Sequence, residues 1–147
     1  MNWTGNLGVG TKNFRSYSRN HEIVAPGKAV IDGSSDPSFR GDPGRYNPEE
    51  LFLSALSSCH MLWFLHLCSI RGISVLQYED HAEGVMIEEA NGSGRFAEVH
   101  LYPRIQLREA HSDEVLRTIH QEANKKCFIA QSCNFPVRHT ATYQALN

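Results

Sequence analysis

Asn47-Pro48-Glu49-Glu50-Leu51-Phe52-Leu53-Ser54-Ala55-Leu56-Ser57-Ser58-Cys59-His60-Met61-Leu62 is the stretch that decides how this chain folds. It opens with a helix start. Asn47 is a good N-cap, and Pro48 falls at N1, where its missing N–H costs nothing. Glu49 and Glu50 put negative charge in the first turn, where the helix dipole favours it. The residues that follow are apolar nearly all round. The sequence therefore predicts a helix from Pro48 to Arg71, stopped by Gly72 and buried on most of its faces. A thiol in the middle of such a helix, Cys59, is either inert packing or protected chemistry.

Outward from this helix the chain alternates between strand-like and helix-like blocks. Before it, Trp3–Val9, Tyr17–Val24 and Ala29–Asp32 read as strands. The Gly/Ser/Asp/Pro-rich stretch from Gly33 to Gly44 reads as a loop. After it, Val75–Met86 and Phe96–Leu107 read as two strands joined by a hairpin loop at Asn91-Gly92-Ser93-Gly94. A second helix begins at Ser112, with Asp113 and Glu114 in its first turn. Val115, Ile119, Ala123 and Cys127 recur every four residues along it, as an apolar seam. Val137–Leu146 reads as a closing strand. Strands, helix, strands, helix, strand is the order of an α+β fold rather than a βαβ series.

The bulk composition narrows the function classes. A chain of 147 residues predicts one domain, residues 1–147, with enough length for a real core. A formal net charge of −2 gives no electrostatic case for a nucleic-acid partner or an anionic membrane. The run Leu51–Ile70 has the length of a membrane span. Its Ser54, Ser57, Ser58, His60, His66 and Ser69 instead favour a buried core helix. The amino terminus, Met1-Asn2-Trp3-Thr4-Gly5, lacks the pattern of a secretory signal. The expected location is the cytoplasm, where Cys59, Cys68, Cys127 and Cys133 stay reduced. No His-x-x-x-His or Cys-x-x-Cys spacing occurs, so no metal and no cofactor is expected.

Cys59 on the first helix and Cys127 on the seam of the second are the candidate reactive thiols. Cys68 and Cys133 read as packing residues. A pair of thiols suits two-electron peroxide reduction: one sulfur is oxidised to a sulfenic acid and the second condenses with it to a disulfide. The first thiol benefits from a nearby cation. An arginine stays charged throughout, and a carboxylate can hold it by a bidentate pair.

The segment from Asn47 to Leu62 resembles the signature of the OsmC/Ohr superfamily, the osmotically induced protein C and organic hydroperoxide resistance proteins. In that family an Asn-Pro-Glu segment opens the central helix, and the reactive cysteine lies ten residues after the glutamate. Glu49 and Cys59 have that spacing. The family's second cysteine stands in an Ala-x-x-x-Cys-Pro context near the end of the second long helix. Ala123-Asn124-Lys125-Lys126-Cys127 matches it, with Phe128 in place of the proline. The resemblance runs from Arg19 to about Val137.

The resemblance implies an OsmC-like α+β fold, with antiparallel sheets packed around long central helices. It implies an intertwined homodimer with active sites at the subunit interface. It also implies a thiol-dependent peroxidase that reduces organic hydroperoxides through Cys59 and Cys127, regenerated by a dithiol reductant, lipoyl or simpler. By position, Arg19 corresponds to the family's activating arginine and Glu49 to its carboxylate. Arg15, Arg40 and Arg45 remain alternatives. In a straight helix Glu49 and Cys59 stand about 15 Å apart along the axis and on different faces. The arginine must then bridge from elsewhere, or the helix start must bend. His60 points about 100° away from Cys59, which makes it a core or interface histidine rather than the thiol's base. Two rival readings stay open: a metal site built from Cys59, Cys127 and histidines, and a non-enzymatic, stress-related small-ligand-binding protein on the same fold.

Overall fold

Three of the expected strands break in the middle, and the breaks set the architecture. The computed structural model describes residues 1–146. The chain divides into two compact units, Met1–Phe52 and the chain from Leu53 on. In the first unit, β1 (Asn2–Trp3), β2 (His21–Ile23) and β3 (Ile31–Gly33) form an antiparallel sheet in that order. These strands are shorter than the sequence suggests, because much of residues 4–20 is spent in turns joined by a single Asn6–Tyr17 bridge. Gly33 leaves room for the His21 ring: a Cβ there would meet the ring at 2.3 Å and force it to shift.

The helix α1 (Pro48–Ile70) starts as its sequence dictates. The Asn47 side chain accepts from the Glu50 N–H at 2.8 Å, and the Glu50 carboxylate accepts from the Asn47 N–H at 2.9 Å. This reciprocal capping box satisfies two orphan donors at once. The helix ends in a Schellman turn. Gly72 takes φ +70°, the Ile73 N–H reaches the Cys68 carbonyl at 3.0 Å, and the Gly72 N–H reaches the Ser69 carbonyl at 3.1 Å.

The second unit adds β4 (Val75–Asp80), β5 (Glu83–Glu88), β6 (Gly94–Leu101), β7 (Pro103–Leu107), α2 (Asp113–Lys126), α3 (Phe128–Gln131), β8 (Val137–His139) and β9 (Thr142–Ala145). Two three-stranded sheets result, β4-β7-β9 and β5-β6-β8. In each, the first pairing is antiparallel and the second parallel. Each run read from sequence as one strand therefore leaves one sheet and enters the other. The switches fall between Asp80 and Glu83, at Tyr102, and between His139 and Thr142. They are tied together. The Asp80 carboxylate accepts from the Tyr102 N–H at 2.7 Å and from the Ser57 hydroxyl of α1. The Thr140 N–H donates to the Leu101 carbonyl at 2.9 Å.

The core of this unit lies between α1, α2 and the β4-β7-β9 sheet. Phe64, Leu67 and Cys68 of α1 meet Ile105 and Leu107 of β7 and Leu116, Ile119 and Ala123 of α2. Two expectations need correction. Within the chain α1 buries one ridge rather than most faces: Leu56, His60, Phe64, Leu67 and Cys68. Leu62 and Ile70 stay 62% and 64% exposed. In α2, Val115 is off the buried seam, which comprises Leu116, Ile119, His120 and Ala123. A four-residue step overshoots a full turn by about 40°, so three steps carry Val115 about 120° from Cys127. By length and composition α1 is also apolar enough to cross a membrane. Its buried ridge, however, forms part of the core of this unit.

Candidate functional site

Cys59 sits half-buried in α1, on the flank that also carries Leu62, Trp63 and His66. Cys127 is fully buried and occupies a joint. It is the C-cap of α2 and the N-cap of α3, with extended backbone at φ −70° and ψ 105°. The chain turns there because the Cys127 N–H still closes α2 on the Ala123 carbonyl at 2.9 Å, while the Cys127 Sγ accepts from the Ala130 N–H at 3.4 Å.

The structure brings Cys127 near Cys59, close enough for the one thiol to act on the other. Burial, and then the neighbouring Cys59 thiol, push the Cys127 thiol up to about 11. A buried thiol beside a half-buried one is an arrangement suited to disulfide formation once the more accessible sulfur is oxidised.

The surroundings are apolar and aromatic. Trp63 meets Phe128 edge-on with ring centroids 6.4 Å apart, and the Lys126 ammonium lies 5.4 Å from the Trp63 ring. Leu62, Trp63 and His66 line a shallow hollow of about 290 Å³. Phe128, the residue that replaces the expected proline, is 75% exposed.

The other two cysteines are placed elsewhere. Cys68 lies in the core, and burial pushes its thiol up to about 11. Cys133 donates to the Ile129 carbonyl at 3.2 Å, just past α3. All four cysteines are free thiols. Among the described residues, no group of three or more His, Cys, Asp or Glu side chains could hold a metal ion.

Arg19 and Glu49 both belong to the first unit, and they do not pair. The Arg19 guanidinium donates to the carbonyls of Tyr17 and Phe14 at 2.8 and 2.9 Å and lies over both aromatic rings. Glu49 lies in the first turn of α1, where it complements the dipole. Among the described residues it forms no ion pair. Arg45 is committed to Asp32 at 2.9 Å, with Asp42 at 3.6 Å. Among the described residues the expected Arg19–Glu49 pair is not formed, and the arginine is held by backbone carbonyls instead.

Sequence reasoning placed His60 in the core but missed what it joins. His60 Nε2 lies 2.8 Å from His120 Nδ1, and both residues are buried. His139 stacks within 5.3 Å of each ring, and Phe64 covers His120 at 4.1 Å. Burial, then the neighbouring imidazoles, lower His60 to about 4 and His120 to about 2. The signal was available in α2: His120 follows Leu116 by four residues and precedes Ala123 by three, on the face that is apolar.

Comparison with known proteins follows from this geometry. A family model described as OsmC-like protein matches residues 41–142. The structure is similar to an OsmC-like protein of unknown function from Vibrio cholerae, at 31% identity over 86% of each chain and a TM-score of 0.77. It shares its fold with an organic hydroperoxide resistance protein from Elizabethkingia anophelis, at 19% identity, 86% and 90% coverage and a TM-score of 0.70. It also shares it with the organic hydroperoxide resistance protein OhrB of Bacillus subtilis, at 14% identity, 84% and 97% coverage and a TM-score of 0.53. No functionally curated protein matches the sequence.

Proposed function

Since the chain belongs to the OsmC-like family, we propose that it is a thiol-dependent peroxidase that reduces organic hydroperoxides through Cys59 and Cys127. One observation carries this reading: the buried Cys127 thiol lies beside the half-buried Cys59, whose presence adds to the rise of its pKa. Two fold relatives named as organic hydroperoxide resistance proteins support the choice of substrate class.

The Cys59 thiolate attacks the terminal oxygen of ROOH. The O–O bond breaks, Cys59 becomes a sulfenic acid, and the alkoxide leaves and is protonated to ROH. The Cys127 sulfur then attacks the Cys59 sulfur. The S–O bond breaks, hydroxide leaves with the Cys127 proton as water, and a Cys59–Cys127 disulfide forms. A dithiol reductant, lipoyl or simpler, returns both thiols by exchange and is itself oxidised to a disulfide. Arg19 and Glu49 enter this reading as the residues that the family resemblance assigns to activation, and the arginine substitutions below test that assignment.

The working form is proposed to be a homodimer. The exposed Leu62 and Ile70 of α1 and the exposed Phe128 give a second copy apolar surface to cover. The free state of all four cysteines suits a reducing cytoplasm. The deciding experiment follows cumene hydroperoxide consumption with lipoyl and simple dithiol reductants. Wild-type protein should turn over and Cys59→Ser should not. A wild-type protein that consumes no hydroperoxide with any dithiol would instead favour non-enzymatic small-ligand binding on the same fold.

A further inference from the structure

The loop that joins β5 to β6 carries a dipeptide that the thiol chemistry does not use. Of the asparagines followed by another residue, only Asn91 precedes a glycine. Gly92 has no side chain to shield its backbone nitrogen, so that nitrogen is open to the neighbouring asparagine amide. Every residue from Glu88 to Arg95 is exposed, so water and hydroxide reach the tip.

The turn itself is tight. The Gly92 N–H donates to the Glu89 carbonyl at 2.9 Å, the Glu89 N–H donates to the Ser93 carbonyl at 2.8 Å, and Gly92 takes φ +82°. Within this turn the Asn91 side chain folds back over Gly92. Its Oδ1 accepts from the Ser93 N–H at 2.9 Å and from the Ser93 hydroxyl at 2.6 Å. An oxygen that reaches past Gly92 to Ser93 holds Cγ alongside the Gly92 nitrogen, since Cγ is one bond behind it. The paired donors draw electrons from Cγ and stand where negative charge gathers when Cγ is attacked, as in an oxyanion hole. The Gly92–Glu89 bond is the brake, because it must open first. It is an exposed turn bond at the end of a hairpin, where local opening is cheapest.

We propose that Asn91 is a self-modification site, which the chain converts, assisted by Ser93, to a mixture of aspartate and isoaspartate. Hydroxide takes the Gly92 N–H proton. The nitrogen attacks Asn91 Cγ, an N–C bond forms, and the π pair of the side-chain carbonyl moves onto Oδ1 between the Ser93 donors. The pair returns as the Cγ–Nδ2 bond breaks, and ammonia leaves with a proton from water, which regenerates the hydroxide. The cyclic imide so formed adds water at either carbonyl. Breaking the new N–C bond leaves aspartate. Breaking the original peptide C–N bond leaves isoaspartate, with the chain now running through the side chain. Nothing is oxidised or reduced. Either product places a carboxylate beside Glu88 and Glu89, where like charges repel. Isoaspartate also lengthens the backbone inside the turn that Glu89 and Ser93 close. The product hairpin is more acidic and looser at its tip.

The test is incubation of the full-length, reduced protein in warm, mildly alkaline buffer. Peptide mass spectrometry follows each asparagine, and an enzymatic isoaspartyl methyl-transfer assay counts the isoaspartate. Asn91 should convert faster than every other asparagine by about tenfold or more, at a rate that rises with pH. Asn91→Gln should remove the isoaspartate signal, since its attack must close a larger and slower ring. Ser93→Ala should slow the conversion by about threefold or more, the worth of an exposed hydrogen bond, and Ser93→Thr, which keeps both donors, should restore it. Asn91 still intact when other asparagines have begun to convert overturns the proposal. Conversion at the wild-type rate in Ser93→Ala overturns the part given to Ser93 and with it the assisted route.

Discussion

His60 Nε2 and His120 Nδ1 lie 2.8 Å apart, which joins the buried ridge of α1 to that of α2 through two imidazoles 60 positions apart in the sequence. Both rings are uncharged at neutral pH, since burial lowers His60 to about 4 and His120 to about 2. The helix pair is held by a neutral contact that acid opposes.

Stability should therefore depend on pH in a definite direction. In the unfolded chain these histidines take up protons near 6.5, and in the folded chain only well below that. Between those values the unfolded state binds more protons, so stability is complete above about pH 6.5 and is lost as the pH falls. The slope below that point approaches about 1.4 kcal/mol per pH unit for each histidine kept neutral. Urea unfolding measured from neutral to mildly acidic pH would read it. His120→Asn preserves an acceptor near the Nδ1 position and should flatten the curve. An unchanged slope in that variant would show that His120 is not among the withheld protons.

Phe64 is the keystone of the same cluster, fully buried, stacked on His120 at 4.1 Å and packed at a tilt against Tyr78 at 5.9 Å. Phe64→Ala should destabilise by about 3–5 kcal/mol, through lost burial and the cavity left behind. Chemical denaturation would measure it, and a loss below about 1 kcal/mol would place the core's centre elsewhere.

Peroxide treatment followed by non-reducing peptide mapping should yield an intramolecular Cys59–Cys127 disulfide. Cys68 is nine residues further along α1, about 13.5 Å up the axis, too far to bridge to Cys59. Cys133 is the competitor, and a Cys59–Cys133 link would make it the resolving thiol. Cys59 recovered as sulfinic acid with no disulfide would point to a one-cysteine mechanism.

Arginine substitutions address activation. Arg19→Ala should slow Cys59 oxidation by more than tenfold, about 1.4 kcal/mol in the barrier. The check is the pH profile of Cys59 alkylation beside the oxidation rate. An unchanged profile would move the role to Arg15, Arg40 or Arg45, of which Arg45 is already engaged with Asp32 and Asp42.

Light scattering at micromolar concentration should return twice the chain mass of 16.6 kDa. A charged substitution on the exposed α1 stripe, Leu62→Glu, should shift the protein toward monomer with little loss of fold, because Leu62 is 62% exposed within the chain. A wild-type mass equal to one chain would remove the dimer.

The sequence by itself determined the parts written in a few consecutive residues. The Asn47–Glu50 capping box, Pro48 at N1 and Gly72 at the Schellman turn fix both ends of α1, because each acts within one helical turn. The Glu49-to-Cys59 spacing carried the family, and the order of strand-like and helical blocks carried the α+β class. Only the tertiary structure decided the rest. Val75–Met86, Phe96–Leu107 and Val137–Leu146 keep a strand-like composition across their breaks. The choice to change sheets there is made by distant partners such as Asp80 and Tyr102. The approach of Cys127 to Cys59, the engagement of Arg19 with backbone carbonyls, and the clustering of three histidines likewise join residues that periodicity treats separately. Local propensity acts over a turn or a strand. Which sulfur meets which, and which imidazole loses its proton, depends on the packing that removes them from water.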